Sequence, residues 1–116
     1  MSAKFPVYKD EFLYLTTTGR KSGQPHEIEI WYVAYQGGYY LCAEGREQAN
    51  WVQNLLAQPL VRWYVEGQWW QGSARPVYPG DAAGTHQAVS ARFEAKYQWS
   101  DGLLVELKPA GTALRP

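Results

Sequence analysis

Hydrophobic and polar positions change period four times along this chain. Residues 11 to 18 alternate loosely and carry Phe, Tyr and three Thr, a strand composition. Gly19 and Gly23 bracket a turn. Residues 26 to 35 then alternate cleanly: Ile28, Ile30 and Tyr32 point one way, Glu27, Glu29, Trp31 and Val33 the other. "QGG" at 36 to 38 signals a hairpin into a third strand, "YYLCAE". From residue 46 the period lengthens. "REQANWVQNLLAQP" sets Trp51, Val52, Leu55 and Leu56 on one helical stripe, and Pro59 ends it. "LVRWYV" and "WWQGSARPV" follow as a hairpin joined through Glu66 and Gly67. Asp81 is the expected N-cap of a second helix running to about Tyr97, with Ala82, His86, Val89, Phe93 and Tyr97 along one face. "GLLVELK" is the sixth strand.

The predicted order is three strands, helix, two strands, helix, strand. Hairpins dominate, so the sheet is mainly antiparallel. Six short strands and two helices around one core give a mainly β, α+β domain with a small barrel-like sheet. Period and spacing do not decide whether that barrel closes. At 116 residues, with no repeat and no long linker, residues 1 to 116 read as a single domain.

Composition narrows the function classes. Hydrophobic residues make up 46% of the chain and aromatics 16%, with six Trp and nine Tyr, so rings are plentiful for a core, a subunit interface or a flat ligand. Formal net charge is zero, and no basic stripe exists to neutralise many phosphates, which argues against nucleic acid as partner. The lone Cys42 excludes an internal disulfide and reads as a small buried hydrophobe in a reducing compartment. The start, "MSAKFPVYKDEF", lacks a signal-peptide pattern, and no run is long enough to span a membrane. A soluble cytoplasmic protein is expected.

Candidate chemistry is sparse. Arg20, Lys21 and Ser22 lie between two glycines, a composition suited to an anion cradle: converging backbone N–H groups, a planar guanidinium fork and a point charge. Thr17 or Thr18 adds a hydroxyl. His26 and His86 stand sixty residues apart with no fixed set of further ligands, so no metal site is expected. No nucleophile elbow supports a Ser-His-Asp arrangement. Glu27 and Glu29, about 7 Å apart on one face of a strand, have no sugar groove beside them and read as solvated carboxylates. If the protein is an enzyme, the reactive atoms belong to a bound cofactor.

"LTTTGRKSGQP", a strand, a Gly turn, "YYLCAEG" and then "NWVQNLLAQPLVRWYV" together resemble the deazaflavin (F420)-dependent nitroreductase family. The likeness runs from about Leu15 to Ala74. It implies the split β-barrel of the flavin-binding superfamily, with six antiparallel strands and two helices. It also implies coenzyme F420 as hydride donor to a quinone, nitroaromatic or enone. The turn residues Thr18, Arg20, Lys21, Ser22, Gly23 and His26 would then hold the cofactor's phosphate and tail. Trp31, Cys42, Ala43 and Glu44 would line its ring system, with Trp51 and Asn54 beside it on the first helix. Tyr97 and Trp99 would wall the substrate. The split barrel further implies a homodimer whose two-fold completes the site.

The chain departs from the family pattern at His26, at "EIEIW" and at Gly45-Arg46, where the family more often has an Arg, a Pro-Leu pair and Gly-Gly. Glu27 and Glu29 near a polyanionic tail leave FMN, with its single phosphate, as the alternative cofactor. Arg46 compensates for the missing cation if it points inward. A carrier of a planar ligand without turnover, or a dimerisation module, are the non-enzymatic alternatives.

Overall fold

A computed structural model describes residues 10–112. They form β1 (Phe12–Thr18), β2 (Pro25–Tyr35), β3 (Gly38–Ala43), a 3₁₀ turn (Arg46–Gln48), α1 (Asn50–Ala57), β4 (Leu60–Val65), β5 (Gln68–Val77), α2 (Thr85–Tyr97) and β6 (Leu103–Thr112). The six strands close into an antiparallel barrel in the order β1-β2-β3-β6-β5-β4, with β4 pairing back onto β1. Both predicted hairpins are two-residue turns, at Gln36-Gly37 and Glu66-Gly67, with all four residues at positive φ. This geometry matches the twist of the flanking strands. No helix among the described residues is long and apolar enough to cross a membrane.

Alternation along the strands feeds two cores. Inside the barrel, Leu13, Leu15, Tyr32, Leu41, Val61, Trp63, Val65, Ala74, Val105 and Leu107 pack together, joined by Leu55 of α1. Outside it, α2 covers Val33, Tyr40, Cys42, Val77 and Leu104 with Val89 and Phe93. The outward face of β2 therefore changes character along its length. Glu27 and Glu29 meet solvent, whereas Trp31 and Val33 lie under α2. Burial makes Cys42 the small hydrophobe expected of it and pushes its thiol up to about 12.

Three boundaries differ from the pattern-based reading. The first helix begins at Asn50, because Arg46 adopts a positive φ and Ala49 is extended, which breaks the 46–59 run. On its buried side sit Val52, Asn54 and Leu55, while Leu56, expected in the stripe, is 49% exposed. The second helix begins at Thr85, since Gly84 is left-handed. Asp81 still serves it from the preceding turn. Its carboxylate accepts hydrogen bonds from the His86 and Thr85 N–H groups at 2.8 and 3.1 Å, which lower its pKa. The last strand runs on through Pro109 to Thr112. Beyond Leu107 it pairs with β5 alone, across a bulge at Gln71/Gly72. Proline is tolerated where one side of the ladder is open.

Candidate functional site

The turn between β1 and β2 packs against α1 and opens a cleft of about 540 Å³. Arg20, Lys21, Ser22, His26, Trp51 and Asn54 line it, together with Glu27 and Asn50. The turn is built from its glycines. Gly19 donates to the Gln24 carbonyl at 2.8 Å and accepts from Gly23 N–H at 2.8 Å. A side chain at Gly19 would meet Ser22 Oγ and His26 Nε2 at 2.7 Å each, and Gly23 sits at φ +72°, which most side chains avoid. The two glycines thus let the chain double back and press the His26 ring against the turn.

Arg20 is clamped to α1. Its backbone N–H and its Nη1 both donate to Asn54 Oδ1, at 3.2 and 2.8 Å. Nη1 also reaches the Asn50 carbonyl at 3.4 Å, and Nη2 donates to Asn50 Oδ1 at 3.3 Å. Asn54 Nδ2 in turn donates to Thr17 Oγ1 at 3.2 Å. Thr17 and Asn54 are the two buried polar residues of the described chain, 2% and 5% exposed. Each oxygen that Arg20 meets is neutral, so its charge is held in place without being cancelled. Lys21 is exposed and has no ion-pair or hydrogen-bond partner among the described residues. Ser22 Oγ accepts from Gln24 N–H at 3.1 Å, leaving its own proton for an incoming oxygen. Two cations against the single carboxylate of Glu27 make the cleft an acceptor for anions. The donor set therefore fits the phosphate and carboxylates of a cofactor tail.

The sequence-predicted site residues separate. Arg20, Lys21, Ser22, His26, Trp51 and Asn54 come together at the cleft, with Gly23 shaping its turn. Thr18 instead lines a groove of about 580 Å³ on the barrel's outer face, with Pro25, Leu60, Arg62 and Ser73. Ala43 is packed with Val52 and Leu103. Glu44 is exposed and away from the cleft lining. Arg46 does not turn inward: it pairs with Asp101 at 3.0 Å.

Trp31, Tyr97 and Trp99 meet one another instead, on the α2 side. Trp31 stacks on Tyr97 with centroids 4.4 Å apart and lies edge-on to Trp99 at 6.4 Å. The Tyr97 hydroxyl accepts from Tyr32 N–H at 3.0 Å and lies within donating distance of the Glu11 and Tyr32 carbonyls, at 2.6 and 3.0 Å. Lys96 donates to the same Tyr32 carbonyl at 3.0 Å, with its ammonium 3.8 Å from the Tyr32 ring centroid. The Tyr97 hydroxyl and the Lys96 ammonium are thus engaged by the protein's own backbone.

Sequence reasoning missed Asn50 as a lining residue of the cleft and, weighing Thr17 with Thr18, settled on Thr18. The signal for Asn50 is its spacing of four from Asn54, which puts two amides on one helical face. The signal for Thr17 is its place on the inward side of β1, in phase with Leu13 and Leu15.

A closed six-stranded barrel with a glycine-shaped, cation-bearing cleft defines a split-barrel protein. The chain belongs to the family of F420H(2)-dependent quinone reductases, whose model matches residues 3–102. Membership makes it an F420-dependent oxidoreductase. No curated protein matches the sequence. Among solved structures it is similar to the heme storage protein HutZ of Vibrio cholerae, at 19% identity and a TM-score of 0.70 over 91% of this chain and 87% of that one. It is likewise similar to the conserved hypothetical protein Rv2991 of Mycobacterium tuberculosis, at 19% identity and 0.69 over 90% and 76%. A structure described as an F420-H2 dependent reductase (FDR-A) matches at 19% identity and 0.61 over 90% and 99%. At these identities the likenesses establish the split-barrel fold.

Proposed function

We propose that the anionic tail of coenzyme F420 binds in the cleft at residues 19 to 23, and that the protein catalyses reduction of a planar acceptor: a quinone, a nitroaromatic or an enone. The observation that carries this reading is the charge of the turn. Arg20 is fixed by neutral oxygens and Lys21 has no hydrogen-bond or ion-pair partner among the described residues, so both cations are available to phosphate and carboxylate groups. When bound, the cofactor supplies the hydride. The protein's part is to anchor and orient. Arg20 and Lys21 hold the tail, the Ser22 hydroxyl donates to it, and Trp51, at the inner wall of the cleft, offers an apolar face to the adjoining part of the ligand.

Calorimetric titration with F420, and separately with FMN, tests the reading. Tight F420 binding is expected, and the double substitution Arg20→Ala, Lys21→Ala should weaken it at least about a hundredfold, given roughly 1.5–3 kcal/mol for a hydrogen bond to a charged group. Unchanged affinity in the double variant would remove the tail from this cleft. Preferential FMN binding would move the protein to the flavin branch of the fold. Binding without oxidation of the reduced cofactor by any of the three acceptor classes would make it a carrier.

The same reading includes a homodimer. Leu60, 67% exposed at the edge of the outer groove of β1, β4 and β5, favours that face as the contact. Sedimentation equilibrium should give twice the chain mass, and a monomer would rule the dimer out.

A further inference from the structure

We propose that Asn54 does not touch the cofactor and is instead a positioning residue, which holds Arg20 through neutral oxygen so that the guanidinium charge stays available to the anionic tail. The inference rests on the F420 reading for the identity of that anion. Asn54 is 5% exposed. Its Oδ1 already accepts two hydrogen bonds, from Arg20 N–H and from Arg20 Nη1, at 3.2 and 2.8 Å. Its Nδ2 donates to the buried Thr17 hydroxyl. One oxygen thereby fixes both the backbone of the turn and the direction of the guanidinium, and Asn50 holds the far side of the fork.

Helix α1 presents both amides because they are four residues apart, one turn of helix. A carboxylate at either place would bond the guanidinium more strongly, as a charge-assisted pair. It would also cancel the charge that an anion needs. Among the described residues Arg20 has no ion pair, and the cleft's own carboxylate, Glu27, does not reach it within 4.0 Å. The choice of amide over acid at 54 and 50 is therefore a choice of binding over local stability. Part-burial of the Arg20–Asn54 contact strengthens the effect, because a partly desolvated charge is screened less by salt than an exposed one.

The test is Asn54→Asp, which keeps the shape and the accepting oxygen. The Thr17 hydroxyl can donate to the new oxygen, so the turn stays closed. The thermal midpoint is expected to hold or rise, while F420 affinity falls about tenfold or more, the loss expected when one charge-assisted contact is cancelled. The salt dependence of F420 binding should become shallower in the variant. Affinity for the deazaflavin chromophore lacking phosphate and glutamates should not change. Asn54→Ala, which frees the turn, should lower both the midpoint and F420 affinity.

Wild-type affinity for F420 in Asn54→Asp would overturn the proposal and leave the F420 reading standing. Equal losses for F420 and for the tail-less chromophore would overturn it too, by placing Asn54 at the ring. Inorganic pyrophosphate is the second probe. If wild type binds pyrophosphate but not F420, and Asn54→Asp abolishes that binding, the positioning role stands while the F420 reading falls. If wild type binds neither, both fall.

Discussion

The cleft beside α1 and the aromatic cluster beneath α2 are made of similar material, yet among the described residues they use it differently. Both join rings to hydroxyls and a cation. Beneath α2, Tyr97 gives its hydroxyl to the backbone of Tyr32 and Glu11, and Lys96 lies over the Tyr32 ring with its ammonium on a carbonyl. Burial lowers the Lys96 pKa, the direction expected of an ammonium taken partly out of water. At the cleft, among the described residues, Arg20 is bound but its charge is not neutralised, and Lys21 has no hydrogen-bond or ion-pair partner. The lesson is that residue type does not identify a site. What identifies it is capacity left over after the protein's own hydrogen bonds and charges are counted.

Substitutions on the two sides should therefore separate stability from binding. The largest effect is expected for Phe93→Ala. Phe93 is fully buried between α2 and the barrel, and its loss should cost about 3–5 kcal/mol in chemical denaturation. F420 affinity of the remaining folded protein should stay at the wild-type value. A large loss of affinity at full folding would show that the two regions are coupled.

Tyr97→Phe comes next. It keeps the ring stacked on Trp31 and removes the hydroxyl that satisfies Tyr32 N–H. Leaving that donor unpaired should cost about 1–3 kcal/mol, with the KM for the acceptor unchanged. A raised KM at wild-type stability would place Tyr97 in the substrate wall. The substitution also has a pH signature. Burial pushes the Tyr97 phenol up from its ordinary 10.0 to about 12. The unfolded chain therefore loses this proton near pH 10 while the folded one keeps it. Its contribution to stability is fully present below pH 10 and is lost as pH rises from 10 through 12. Tyr32 and Tyr40 are raised further, by burial first and then by Glu66 and Glu106, so wild-type stability falls steeply in alkali. Tyr97→Phe should fall less steeply over the same window.

The smallest effect is expected for Glu27→Gln. Glu27 is exposed at the cleft rim and has no partner among the described residues, whereas its neighbour Glu29 accepts from Tyr14 at 2.8 Å. Removing an exposed like charge from the path of an anionic tail should tighten F420 binding about two- to threefold at low salt, less at high salt. Glu29→Gln should leave affinity as it is. Weaker binding in Glu27→Gln would mean that this carboxylate contacts the ligand.

The element order, both tight hairpins and the helix after the third strand were legible in the chain, because each depends on residues close in sequence: a period of two, a period near 3.6, a Gly at a turn, a Pro after a helix. The glycine-cation turn at 19 to 23 was legible for the same reason. Leu56 was misplaced because a stripe of spacing three and four does not show which edge of it meets the barrel. Asn54 takes that edge by reaching Thr17 and Arg20, thirty-seven and thirty-four residues away. Closure of the barrel depends on β4 returning to β1 and on β6 inserting between β3 and β5. Such pairings are long-range, and no local pattern encodes them. That Trp31 stacks on Tyr97 and lies edge-on to Trp99, sixty-six and sixty-eight residues further along the chain, could not be read from the sequence either. The sequence by itself determined the strands, the helices and the chemistry the chain has to offer. The tertiary structure alone decided which of that chemistry is consumed in holding the fold and which is left facing solvent, because satisfaction of a polar group depends on what reaches it in space.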